Sequence, residues 1–135
     1  MFDLKFDHFG LAVKYPSKAE NFLSALGYII DEEVYDPLQK VNLKYATHQE
    51  MPAVELVYKS NEAGPLENIL NSRSELIYHT CYRTKNLEKT LNILKENKLR
   101  FICVSPPKPA ILFNGLKVSF YMIQGFGLIE IIEDN

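Results

Sequence analysis

Apolar and polar residues alternate from position 4 to position 14, which predicts a first β-strand. At Pro16 the period changes. Ala19, Phe22, Leu23 and Leu26 fall at helical spacing, Ser17 with Glu20 three residues on reads as a capping box, and Gly27 is the stop. Tyr28-Ile29-Ile30 opens a second strand running towards Tyr35, and Asp36-Pro37 turns it. Lys40 to Thr47 alternates as a third strand. After the loop His48-Gln49-Glu50, a fourth strand, Pro52-Ala53-Val54-Glu55-Leu56-Val57-Tyr58, completes a β-α-β-β-β series.

Residues 59–75 have a different character. Asn61, Gly64, Pro65 and Ser72 surround a short apolar repeat of Leu66, Ile69 and Leu70, so the stretch reads as a linker with a short helix starting at Pro65. The first pattern then returns. A fifth strand covers about 76–83. A helix over 87–96 has Asn86 as its cap and Leu87, Leu91 and Leu94 on one face. Arg100 to Val104 reads as a strand, broken by Ser105-Pro106-Pro107-Lys108-Pro109. Ile111-Leu112-Phe113 is a strand or hairpin arm before the Asn114-Gly115 turn. Leu116 to Ile123 and Gly127 to Glu133 are the last two strands. The expectation is an α+β fold in one domain over 1–135, built of βαβββ modules 4–58 and 76–133 joined by linker 59–75. The modules would share one curved mixed sheet around a cup-shaped site.

Within these strands four polar residues stand out. Glu55 and Glu130 each interrupt a run of branched apolar residues, where an uncompensated charge would be costly. His8 and His79 sit in the opening strand of each module. His8 precedes Glu55 by 47 positions and His79 precedes Glu130 by 51, an offset that the Pro-rich segment can absorb. Two imidazoles and two carboxylates suit a divalent first-row metal. The small residues Gly10 and Ala12, on the face of His8, leave room for a ligand. Taken singly, each of the four could be an ordinary surface carboxylate or hydrogen-bonded histidine; the repeat is what favours a metal site.

Other candidates carry less. His48 lies in a loop. Cys81 shares a face with His79, but it and Cys103 read as reduced, packed thiols. Tyr45, Tyr78, Tyr82 and Tyr121 could hold a substrate or fill the core, packing being favoured. Lys5, Lys14 and Arg83 could meet an anion or simply face water. The formal charge of -2 over 135 residues gives no electrostatic case for nucleic acid. No apolar run approaches the roughly 20 residues of a membrane span, and no export signal is evident, so a cytoplasmic protein is expected.

Together, Asp7-His8-Phe9-Gly10-Leu11-Ala12-Val13, Glu55-Leu56-Val57-Tyr58, Tyr78-His79-Thr80-Cys81-Tyr82 and Leu128-Ile129-Glu130-Ile131-Ile132 resemble the vicinal oxygen chelate superfamily over about residues 5–133. The order His, Glu, His, Glu is similar to the metal ligands of glyoxalase I. The stretch from Val54 to Tyr82, with Gly64-Pro65, is more similar to methylmalonyl-CoA epimerase, which usually has Gln at the position of Glu55. That epimerase also carries a second acid in its third strand, where Leu43 stands here. The Asp-Pro-Asp-Gly turn of the glyoxalases is replaced by Met122 to Gly127.

The resemblance implies that His8, Glu55, His79 and Glu130 bind a divalent metal such as Ni, Co, Zn or Mn. It implies an isomerase, epimerase or lyase that removes a proton next to a carbonyl and stabilises the enolate on the metal. Glu130 is the first choice of base and Glu55 the second. The expected substrate is a small carbonyl compound or thioester, and a homodimer is expected. The alternative is a metal-free small-molecule binding protein of the same fold, as in the resistance proteins. An iron-dependent extradiol dioxygenase ranks last, because such enzymes normally use two His and one Glu.

Overall fold

In the computed structural model, which describes residues 3–134, the alternating stretches become strands and the two helical repeats become helices. The order is β1 (Lys5–Val13), α1 (Pro16–Ala25), β2 (Ile29–Ile30), β3 (Val34–Asp36), β4 (Val41–Thr47), β5 (Ala53–Lys59), α2 (Leu66–Leu70), β6 (Glu75–Thr84), α3 (Leu87–Glu96), β7 (Phe101–Pro109), a 3₁₀ turn (Ile111–Phe113), β8 (Lys117–Ile123) and β9 (Gly127–Glu133). The class is α+β, as the sequence predicts. The described chain divides into two compact units, residues 8–78 and residues 3–7 with 79–134.

The two units use the same pairing rule. In the first, β1 runs parallel to β5, β4 is antiparallel to β5, and β2 and β3 are both antiparallel to β4. In the second, β6 runs parallel to β9, β8 is antiparallel to β9, and β7 is antiparallel to β8. A parallel first-and-last pair needs a long crossover, supplied by a helix and three further strands in the first unit and by a helix and two further strands in the second. Branched residues then fill both faces of the inner strands: Leu56 and Val57 in one unit, Ile131 and Ile132 in the other, are at most 1% exposed.

Several boundaries differ from the sequence reading, each for a local reason. Ser17 is not the cap of α1. Pro16, preset for the first helical turn and lacking an N–H, starts the helix two residues earlier, so Tyr15 is the N-cap and makes no side-chain cap bond. Glu20 instead pairs with Lys44 of β4 at 2.9 Å. Pro65 likewise caps α2 rather than opening it. Phe22 is 64% exposed, so the apolar face of α1 is only partly covered. The second strand splits in two, because its register on β4 slips by one residue between Ile30 and Val34. Strand β7 continues through the prolines to Pro109. It tolerates them with register shifts on an edge, where a missing N–H breaks no ladder bond. Cys103 on that strand is exposed rather than packed, whereas Cys81 is buried. Ile111–Phe113 is a 3₁₀ turn, not a strand.

Asn86 caps α3 as predicted, accepting the Lys89 N–H at 3.0 Å. His48 proves to be a fastener as well as a loop residue. Its Nδ1 accepts the N–H groups of Glu50 and Met51, which leaves Nε2 to donate to the Leu26 carbonyl at the end of α1.

Tyr58 of β5 gives a pH prediction. Its hydroxyl donates to Glu33, and burial first, then that carboxylate, pushes its pKa far above the ordinary tyrosine value. A raised folded-state pKa adds stability that is present below the unfolded value of about 10 and is lost as pH rises beyond it. Tyr58→Phe should therefore flatten the alkaline arm of a stability–pH curve measured by urea melts from pH 8 to 11. An unchanged arm would show that Tyr58 is not its source.

Candidate metal centre

Each unit holds one buried His–Glu pair, and the same register builds both. In the first unit Gly10 of β1 lies opposite Glu55 of β5, and His8 is two residues before Gly10 on the same face. Gly10 offers no side chain, so the carboxylate can lean towards the imidazole; His8 Nε2 and Glu55 Oε1 are 3.8 Å apart. In the second unit Cys81 of β6 lies opposite Glu130 of β9, and His79 is two residues before Cys81. Here Nε2 and Oε1 are 3.1 Å apart. Exposure is 0% for His8, 5% for Glu55, 3% for His79 and 2% for Glu130. Carboxylates so buried on an apolar strand need a cation, a proton or hydrogen-bond donors.

The donor set fits a metal. Imidazole nitrogens and carboxylate oxygens bind first-row divalent ions at roughly 2.0–2.2 Å, so two adjacent donors on one ion would lie about 3–3.5 Å apart. The separation in the His79 pair falls in that range, and the His8 pair needs only a small closure. Each pair is thus a buried His/Glu group able to contribute to a divalent metal site.

The matching extends to an aromatic ring that the sequence reading did not assign to the site. Across the β4–β5 ladder, Tyr45 lies opposite Glu55. Its ring meets that of His8 edge to face, with centroids 5.7 Å apart and planes at 83°. Across the β8–β9 ladder, Phe120 lies opposite Glu130 and meets His79 in the same way, at 5.5 Å and 87°. Each aromatic precedes its glutamate by ten residues, a spacing visible in the sequence. Leu43, where the second acid of the epimerase pattern would stand, shares the face of Tyr45 and is buried.

The remaining candidates go elsewhere. Arg83 pairs with Asp7 at 2.6 Å and Asp134 at 3.4 Å and lies over the Phe113 ring. Burial disfavours its charge, but the two carboxylates outweigh that and raise its pKa. Lys14 lies over the ring of Tyr15. Tyr121 is core, packed with Ile129 and Ile131, and Tyr82 packs against that cluster. A cavity of about 570 Å³ in the first unit is lined by Phe9, Leu11 and Val54 with α1. Those residues alternate with His8, Gly10 and Glu55, so the cavity opens on the other face of the sheet and is not the place of this chemistry.

Comparison with known proteins agrees with the fold. The solved structures similar to it include methylmalonyl-CoA epimerase from Mycobacterium tuberculosis, with a TM-score of 0.73, 20% identity, and coverage of 94% of this chain and 85% of that one. A hypothetical protein from Bacillus halodurans C-125 has a TM-score of 0.78 and 24% identity, covering 99% of this chain and 96% of the other. A variant of Streptomyces coelicolor methylmalonyl-CoA epimerase, in complex with 2-nitronate-propionyl-CoA, has a TM-score of 0.72 and 14% identity, with 95% of both chains covered. At these identities the likeness shows the fold. No curated protein matches the sequence. A family model matches residues 7–120, a span that includes His8, Glu55 and His79, and the chain therefore belongs to the glyoxalase/bleomycin resistance protein/dioxygenase superfamily.

Proposed function

We propose that His8, Glu55, His79 and Glu130 together hold one divalent metal ion, and that the protein is an isomerase, epimerase or lyase that removes a proton from carbon next to a carbonyl. The observation that carries this reading is the pair of buried His–Glu groups built by one register in both units. A binding protein that had given up metal chemistry would have no need to keep two such costly pairs. The ion, when bound, supplies Lewis-acid polarisation of the substrate carbonyl.

The residues do the rest. Glu130, at the shorter of the two His–Glu distances, is the first candidate to take the carbon-bound proton, and Glu55 is the second. With Leu43 in place of the second acid, we assign the role of base to a ligand glutamate. Both pairs are at most 5% exposed, which limits the access of bulk water to them. The substrate class is a small carbonyl compound or a thioester. The epimerases that share the fold, one of them seen with a coenzyme A derivative, make acyl-CoA thioesters one of two classes to screen.

Two further parts belong to this proposal. Among the described residues no helix is long and apolar enough to cross a membrane; a cytoplasmic location is a separate part of the proposal. We also expect a homodimer. The exposed Tyr15, Phe22 and Ile77 surround the apolar cavity, with Lys18 and Glu75 also lining it, and a two-fold copy could set Lys18 against Glu75.

The test is solvent exchange. Protein loaded with Ni, Co, Zn or Mn is incubated in D₂O with 2-oxoaldehyde–thiol adducts or acyl-CoA thioesters, and deuterium entering next to the carbonyl is followed by NMR. Metal-dependent exchange that Glu130→Gln slows by a factor of roughly 100 or more is expected, within the usual range for general base catalysis. Absence of exchange across both classes and all four metals, in protein that does bind metal, would contradict the proposed activity.

A further inference from the structure

The edge-to-face contacts on the two histidines occupy corresponding places in the two units. Tyr45 lies directly across the ladder from Glu55, and Phe120 directly across from Glu130. Each ring stands nearly perpendicular to the imidazole of its own unit, at 83° and 87°. The surroundings differ in detail: one aromatic carries a hydroxyl and the other does not, and one histidine strand has Gly10 where the other has Cys81. What the units hold in common is the ring.

A reason for the ring follows from the freedom of the imidazole. The terminal torsion of histidine is broad and roughly two-fold, so the side chain alone does not choose which nitrogen faces the carboxylate. In both units Nε2 is the atom nearest the glutamate. A perpendicular aromatic ring, attracted through its quadrupole, packs against the imidazole and narrows that torsion. A metal ligand held in one orientation loses less freedom on binding the ion.

We propose that Tyr45 and Phe120 are positioning residues, one per unit, that hold His8 and His79 with Nε2 towards Glu55 and Glu130 so that the four donors are set before metal arrives. This rests on the metal reading above. The contribution is made by the ring, not by the hydroxyl of Tyr45. Neither residue is a ligand, and neither is asked to move a proton.

The experiment compares wild type with Tyr45→Phe, Tyr45→Leu, Phe120→Tyr and Phe120→Leu. The cobalt(II) dissociation constant is measured by competition with a chelator, and the visible absorption of the cobalt-loaded protein is recorded. Melting of the metal-free proteins reports on the fold. Tyr45→Phe and Phe120→Tyr should keep wild-type affinity and spectrum. Each leucine variant should bind cobalt roughly tenfold more weakly, the low end of what outer partners of metal ligands contribute, with an altered absorption band. Tyr45→Met and Phe120→Met, which keep more of the volume, carry the same test if a leucine variant does not fold. Folded leucine or methionine variants with wild-type affinity and spectrum would overturn the positioning role and leave the metal site standing. A wild-type protein that takes up no cobalt would overturn both.

Discussion

Glu130→Ala is expected to weaken metal binding by at least about 100-fold while leaving the protein folded. Outer partners of metal ligands contribute roughly 10–100-fold, and a ligand removed from a four-donor set should cost no less. Glu130 is 2% exposed, and its oxygen lies 3.1 Å from His79 Nε2, so water entering the small space left by the carboxylate would not restore an equivalent donor. His79→Ala should have the same effect. Titration of metal-free protein with zinc or cobalt against a competing chelator measures it. Wild-type affinity in both variants would remove the second unit's pair from the site.

Ile131→Ala, one residue along the same strand, should do the opposite. Ile131 is fully buried and belongs to the cluster of Tyr121 and Ile129, against which Tyr82, Leu87 and Leu91 pack. It pairs across to Tyr82 and Ser119, while Glu130 pairs to Cys81 and Phe120, so the two side chains leave β9 on opposite faces. Truncating a fully buried isoleucine costs about 2–5 kcal/mol through lost transfer energy and the cavity left behind. That is a large share of a typical 5–15 kcal/mol domain stability. Urea melts of metal-free protein should show the loss. At temperatures where the variant remains folded, its metal affinity should match wild type. A stability loss under 1 kcal/mol would mean that the α3 side of the sheet repacks around the gap.

The contrast between Glu130 and Ile131 shows what the sequence made legible. Alternation marks Glu55 and Glu130 as strand residues, and the repeat of His and Glu makes two pairs an expectation that depends on which strands are neighbours. The period of two says which residues of one strand share a face, but which strands are neighbours and how they align is set by the register. Terminal details were harder. Ser17 and Glu20 have the letters of a capping box, but Pro16 starts the helix first and Lys44 claims Glu20. The prolines at 106, 107 and 109 argue against a strand only where every N–H is needed, and β7 lies on the edge of the β7–β8–β9 ladder. Phe120 is not legible as part of the site, because an aromatic in a strand is ordinarily core. Its relation to His79 depends on cross-strand register, which no single stretch of sequence contains. Tyr45 is legible as a pocket or core residue, yet its partner, His8, sits two strands away across β5.

The most direct test of the central claim is the metal content of the folded chain. Metal-free protein is reloaded in turn with Ni, Co, Zn and Mn, freed of excess ion, and analysed by mass spectrometry beside His8→Ala, Glu55→Ala, His79→Ala and Glu130→Ala. One ion per chain in wild type, lost whichever of the four is replaced, is the expected result. No bound ion under any loading would contradict the metal reading. Two ions per chain, each lost only with its own His–Glu pair, would contradict the claim that the pairs act as one site.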